Sequence, residues 1–102
     1  VNWDKKIDEI DSFVRAMSPY PGAWTEVKSD EVTIKIKIFK LKVLDRIKHK
    51  NLSIVITKKN ILIHHKNGTC SIEELQLPNK KRMSVRDLLN GYTFDSKLKL
   101  VY

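Results

Sequence analysis

Apolar residues recur along Trp3–Met17 at spacings of three and four, at Trp3, Ile7, Ile10, Phe13, Val14 and Met17. On a helix these positions share one face, so the pattern predicts an amphipathic helix over this stretch. Asn2 or Asp4 is placed to cap its start, and the carboxylates of Asp4, Asp8, Glu9 and Asp11 suit the positive end of its dipole. The run Ser18-Pro19-Tyr20-Pro21-Gly22 ends it, because proline lacks an amide donor and glycine permits positive φ.

From Glu31 to Asp45 the period becomes two. Val32, Ile34, Ile36 and Ile38 fall on one face, with Thr33, Lys35 and Lys37 on the other. At Phe39 the phase flips, and Phe39, Leu41 and Val43 become the apolar set. A one-residue slip without a turn signal predicts a β-bulge in a long, bent strand, the device by which small barrels close. Leu52–Thr57 and Ile61–His65 are β-branched runs joined by Lys58-Lys59-Asn60, which reads as a tight hairpin. Asn67-Gly68 predicts a second hairpin on a type I′ turn, with positive φ at both residues. Thr69–Leu77 follows as a strand with its own slip at Glu73-Glu74. Ser84–Asn90 predicts a short helix, capped by Ser84 with Asp87 three residues on and stopped by Gly91. Lys97–Tyr102 alternates again, and the polar stretch Arg46–Asn51 is expected to be a mobile loop. The order of elements predicts a mainly β fold: a small closed antiparallel barrel, OB-like with Greek-key connections, carrying an N-terminal helix and a short helix near the C-terminus.

Composition narrows the class. A chain of 102 residues is expected to be a single domain, residues 1–102, with a core that needs no disulfide or metal. With 3 Gly and 3 Pro it is neither collagen-like nor of low complexity. No apolar run is long enough to span a membrane, so no membrane partner is expected. The single cysteine, Cys70, excludes an internal disulfide framework and points to a reducing, cytoplasmic compartment. Val1–Ile10 has no secretory signal, and a start at Val1 rather than Met points to a piece of a longer protein.

Charge changes the picture most. Residues 1–31 carry 4 basic and 7 acidic side chains, net −3, while residues 32–102 carry 16 and 5, net +11, which together give +8. The excess lies in the strand-rich part, and such asymmetry suggests a polyanion, nucleic acid first. Catalytic chemistry finds little to work with. Cys70 is in phase with apolar Ile72 and reads as a buried, inert thiol. His64 and His65 are neighbours on a strand and point to opposite faces, so they cannot share a metal. Glu73-Glu74 diverge likewise, and no phosphate-cradling glycine loop is present. No catalytic residue and no metal site is therefore assigned. Binding is better supported: Lys35 and Lys37 share a strand face, Lys58 and Lys59 sit at a hairpin tip, and Lys80, Lys81 and Arg82 precede the Ser84 cap. That triplet offers phosphates both charge and the free N–H groups of a helix start. Trp3, Phe13, Trp24 and Phe39 read as core or interface, which argues for backbone or shape recognition of folded RNA rather than base stacking.

Two segments resemble one family. Phe13-Val14-Arg15-Ala16-Met17-Ser18-Pro19-Tyr20-Pro21-Gly22-Ala23-Trp24 is similar to the stretch that opens the C-terminal domain of methionyl-tRNA formyltransferases. Glu74–Ser84, followed by Asp87-Leu88-Leu89-Asn90-Gly91, is similar to a second motif of that domain, with Asn79 where the family usually has Gly and Leu88 where it more often has Phe. The family's Pro-Gly before its second strand is absent around Lys50-Asn51.

The resemblance implies an OB-like domain that helps hold initiator methionyl-tRNA. A separate N-terminal, Rossmann-like domain, contacted through the N-terminal helix, would bind 10-formyltetrahydrofolate and carry the Asn, His and Asp of formyl transfer. No cofactor is expected on this chain itself. Lys80 and Lys81 fall on the family's basic motif; Arg82, Lys58, Lys59, Lys35 and Lys37 are added on charge alone. Sugar-nucleotide N-formyltransferases share the domain plan, and Asn2-Trp3 with Tyr20-Pro21-Gly22-Ala23 resembles them too. There the domain would be a structural or dimerising appendage. An unrelated basic nucleic-acid-binding barrel is the remaining alternative.

Overall fold

A computed structural model describes residues 1–30, 32–95 and 97–102; Glu31, expected to open the long strand, lies outside the described residues. The chain runs α1 (Ile7–Met17), β1 (Ala23–Ser29), β2 (Val32–Asp45), β3 (Ser53–Ile56), β4 (Ile61–His65), β5 (Gly68–Gln76), β6 (Met83–Ser84), α2 (Val85–Gly91) and β7 (Lys99–Val101). The strands form one antiparallel sheet in the order β3-β4-β5-β2-β1-β7, with β6 added beside β5. The sheet curls until its edges β3 and β7 approach without pairing, so the expected closed barrel is nearly closed.

The curl comes from β2 and β5. Ile38 pairs with Leu75 and Lys40 with Glu74, leaving Phe39 over; one step on, Leu41 pairs with Ile72, leaving Glu73 over. The two phase slips expected from the sequence are thus one paired irregularity, an extra residue on each strand, which bends both. It keeps Ile36, Ile38 and Leu41 in the core with Ile72 and Leu75, while Phe39 is buried outside that cluster.

Trp3 explains where α1 begins. The helix was expected from Trp3 but starts at Ile7, with Lys6 at its N-cap and no side-chain cap. The Trp3 carbonyl accepts a hydrogen bond from His65 Nε2 at 2.8 Å, so it is spent on β4 instead of on a helical amide. Asn2 accepts from the Asp4 amide at 3.0 Å, a local turn rather than the expected cap. The Trp3 indole donates to Thr25 Oγ1 at 2.9 Å inside the protein. That bond makes room for β1, a strand the sequence reading passed over: Ala23, Thr25 and Val27 point inward, and the polar Thr25 disguised the alternation.

The Asn67-Gly68 expectation is corrected. The two turn residues are Lys66 and Asn67, flanked by the His65–Gly68 pair, and positive φ occurs instead at Gly22, Asp30 and Asn79. Gly68 lies in β5, where the Asp45 backbone leaves no space for a β-carbon. Arg46–Asn51, expected to be mobile, is fastened: Arg46 pairs with Asp8 at 2.8 Å, and the His49 amide donates to the His65 carbonyl at 3.2 Å. His49 also stacks on His64, its ring centroid 4.2 Å away, and bonds Thr69 Oγ1. Ser84 caps α2 as expected, accepting from the Asp87 amide at 3.1 Å, but Gly91 is its last residue rather than the stop beyond it.

Candidate nucleic-acid interface

Register brings the basic residues together. β1 pairs with β2 so that Trp24 lies opposite Lys37 and Glu26 opposite Lys35; on the other side of β2, Lys37 lies opposite Gln76 of β5. Trp24, Lys37 and Gln76 therefore form one row across three strands, on the face turned away from the core. Lys35 Nζ rests 4.3 Å from the Trp24 ring centroid, a cation–π contact. Beside this row, Gly22 is hemmed in by the Phe39 ring and the Lys37 stem: a β-carbon there would lie 3.2 Å from Phe39 Cε1 and 3.7 Å from Lys37 Cδ. The guanidinium of Arg82 covers Phe39 at 4.4 Å.

The turn after β5 completes the surface. Asn79 takes φ 62°, the left-handed region that asparagine tolerates. The Lys80 amide donates to the Leu77 carbonyl at 3.2 Å, and Gln76 Nε2 donates to the Lys80 carbonyl at 2.9 Å. Lys80 Nζ then lies 5.7 Å from the Tyr92 ring. Lys35, Lys37, Lys80 and Arg82 are thus linked through Trp24, Gln76 and Phe39, with exposed Lys81 in the same turn.

The predicted residues are not equivalent. Arg82 is paired with Glu74, with Nη2 at 2.8 Å and Nε at 3.0 Å from Oε1, so a neighbouring carboxylate partly offsets its charge. Lys58 and Lys59 are at the β3–β4 hairpin tip, where Thr57 Oγ1 accepts the Lys59 and Asn60 amides. Lys58 lines a groove of about 890 Å³ together with Tyr92 and Phe94. At the start of α2 one of the amides expected to meet an anion is already used within the protein. The Asp87 amide is taken by Ser84, and β6 intervenes between the basic triplet and the helix.

Of the four aromatics expected in the core or at an interface, two are buried. These are Trp3 and Phe39, whereas Trp24 is 43% exposed and Phe13 44%. With β1 hidden in the sequence, nothing local marked Trp24 as outward or told whether a neighbouring element covers it. Cys70 is buried as expected, and desolvation, with Asp11 adding a smaller effect, pushes its thiol up to about 12. His65 points inward and His64 outward. Among the described residues no group of three His, Cys, Asp or Glu could hold a metal ion. No helix among the described residues is long and apolar enough to cross a membrane.

Comparison with known proteins bears on this surface. Residues 1–93 match the family model described as the formyl transferase C-terminal domain. A Flavobacterium johnsoniae protein named methionyl-tRNA formyltransferase is 42% identical over 101 residues, covering 98% of this chain and 32% of the relative. Proteins of the same name from Porphyromonas gingivalis (34% identical, 96% of this chain, 32% of the relative) and Bacteroides thetaiotaomicron (32% identical, 98% and 32%) align in the same way. The chain spans about a third of the length of these curated relatives. With the family model matched across nearly its whole length, the chain belongs to the formyl transferase C-terminal domain family.

Proposed function

We propose that this domain holds the RNA substrate of a methionyl-tRNA formyltransferase. Lys35, Lys37, Lys80 and Lys81 take phosphates of initiator methionyl-tRNA, and its aminoacyl end is thereby presented to a separate N-terminal domain. That domain transfers the formyl group from 10-formyltetrahydrofolate and contacts this one on the side of α1. One observation carries the proposal: the Trp24–Lys37–Gln76 row joins cations from β2 to those of the turn after β5, making one surface from distant parts of the chain. The names of the relatives supply the substrate.

Titration with initiator tRNA at several salt concentrations tests it. About four phosphate contacts give a slope of log K against log salt near −3 to −4. Replacing Lys80 and Lys81 with Ala lowers that slope by about 2, close to one unit per lost contact. Absence of binding at low salt overturns the proposal.

A further inference from the structure

The half-exposed Trp24 does not follow from phosphate binding. It forms one wall of a cleft of about 300 Å³ with Phe13, Met17, Pro21, Lys35 and Lys37. That volume is at the small end of ligand sites and suits a single planar ring system. The walls are aromatic and aliphatic, Val1 also lines the cleft, and the charged side chains are those of Lys35 and Lys37. Lys35 rests on the indole face, and the stem of Lys37 runs beside Gly22.

We infer that this cleft is a subsite for one unpaired nucleotide, whose base stacks on Trp24 while its phosphate is met by Lys35 and Lys37. The inference rests on the RNA-holding reading above and says which part of the RNA reaches β1. Three features select this occupant. A flat ring laid on Trp24 with a negative group at its edge matches the composition of the cleft; stacking on an aromatic with nearby cations is how single strands are held. A base inside a duplex has both faces covered by its neighbours, so the nucleotide must come from a loop or an end. Lysine is depleted from the cores of protein–protein interfaces, yet here two lysines flank the aromatic centre. Lys35 is exposed, so its ammonium can leave the indole for the phosphate as the base enters. Lys37 belongs to the row that continues to Gln76 and Lys80, so the cleft opens onto the proposed phosphate-binding surface.

The test uses this chain with single-stranded hexa-adenylate and, as control, a blunt RNA duplex long enough to stay fully paired. Trp3 is buried, so tryptophan fluorescence accessible to acrylamide reports Trp24. Hexa-adenylate is expected to protect that signal and the duplex to leave it unchanged. Trp24→Leu should weaken hexa-adenylate binding about 5- to 150-fold, the range of one base–aromatic stack, and Trp24→Tyr should restore most of it. Lys35→Ala with Lys37→Ala should reduce the salt slope for hexa-adenylate by about 1.4. Unchanged hexa-adenylate affinity in Trp24→Leu overturns the subsite. If tRNA binding in that variant still depends on Lys80 and Lys81, the phosphate reading survives alone. A Trp24→Leu chain that keeps its RNA affinity but changes its sedimentation assigns the cleft to protein docking, and also overturns the subsite. Failure of the unaltered chain to bind either RNA or tRNA overturns both readings. Unchanged circular dichroism and Trp3 emission establish that each variant is folded.

Discussion

The carbonyl oxygen of Asp45 lies against Gly68, in the space where any other residue would carry its β-carbon. The contact arises because β2 turns into the fastened Arg46–Asn51 segment directly over the start of β5, where Asp45 pairs with Thr69. Gly68→Ala sets a methyl group against backbone, which cannot rotate away. The expected cost is about 1–3 kcal/mol, the usual range for overpacking. In a domain of this size that lowers the thermal midpoint by roughly 5–20 °C. A midpoint within 2 °C of the parent would show that this crossing yields easily.

His65 ties the N-terminus to the barrel. Its Nδ1 accepts from the Asn67 amide at 3.1 Å, so the ring proton sits on Nε2 and is donated to the Trp3 carbonyl. His65→Leu preserves bulk but leaves an amide and a carbonyl without partners, at about 1–3 kcal/mol each when they stay dry. Urea unfolding should move to lower concentration, and Trp3 emission should shift to the red as the turn before α1 loosens. Nitrogen NMR should find the Nε2–H tautomer; the opposite tautomer would contradict this arrangement.

Cys70 gives a test of burial. With its thiol pushed up to about 12 by desolvation, only about one molecule in ten thousand is a thiolate at pH 8. A thiol-directed alkylating agent should therefore label the native chain only at the rate of transient unfolding, and label it fully in denaturant. The linkage has a definite sign. Because the folded value lies above the unfolded one, the contribution of Cys70 is intact below about pH 9 and is lost as pH rises from 9 toward 12. Cys70→Ala should flatten the alkaline loss of stability, measured as unfolding free energy between pH 8 and 11. An identical alkaline slope in both chains would rule out that contribution.

Which features were legible in the sequence follows from their physics. The paired slips at Phe39 and Glu73 could be read because strand register is discrete, and one extra residue moves every later side chain to the other face. β1 was hidden because its inward Thr25 is satisfied by Trp3, a partner 22 residues away. Asn67-Gly68 misled because its glycine answers a tertiary approach by Asp45 rather than a turn that needs positive φ. Of the proposed binding surface, the lysines were visible as charges. Their grouping required the β1–β2–β5 register, and the exposure of Trp24 depended on which neighbours fail to cover it.

The Arg82–Glu74 pair divides the basic triplet into unequal parts. Both side chains are partly exposed, so the pair contributes at most about 1 kcal/mol to stability. It does, however, hold the guanidinium over Phe39. Arg82→Ala should therefore reduce the salt slope for tRNA less than Lys80→Ala or Lys81→Ala, each of which removes about 0.9. Glu74→Gln should act in the opposite direction. It removes a negative charge and frees Arg82, so tRNA binding at ~0.1 M salt should tighten and the slope steepen by about 0.9, with the unfolding midpoint nearly unchanged. Equal losses from the three basic substitutions, together with no gain from Glu74→Gln, would mean that the triplet acts as an undivided patch and that Glu74 does not restrain it.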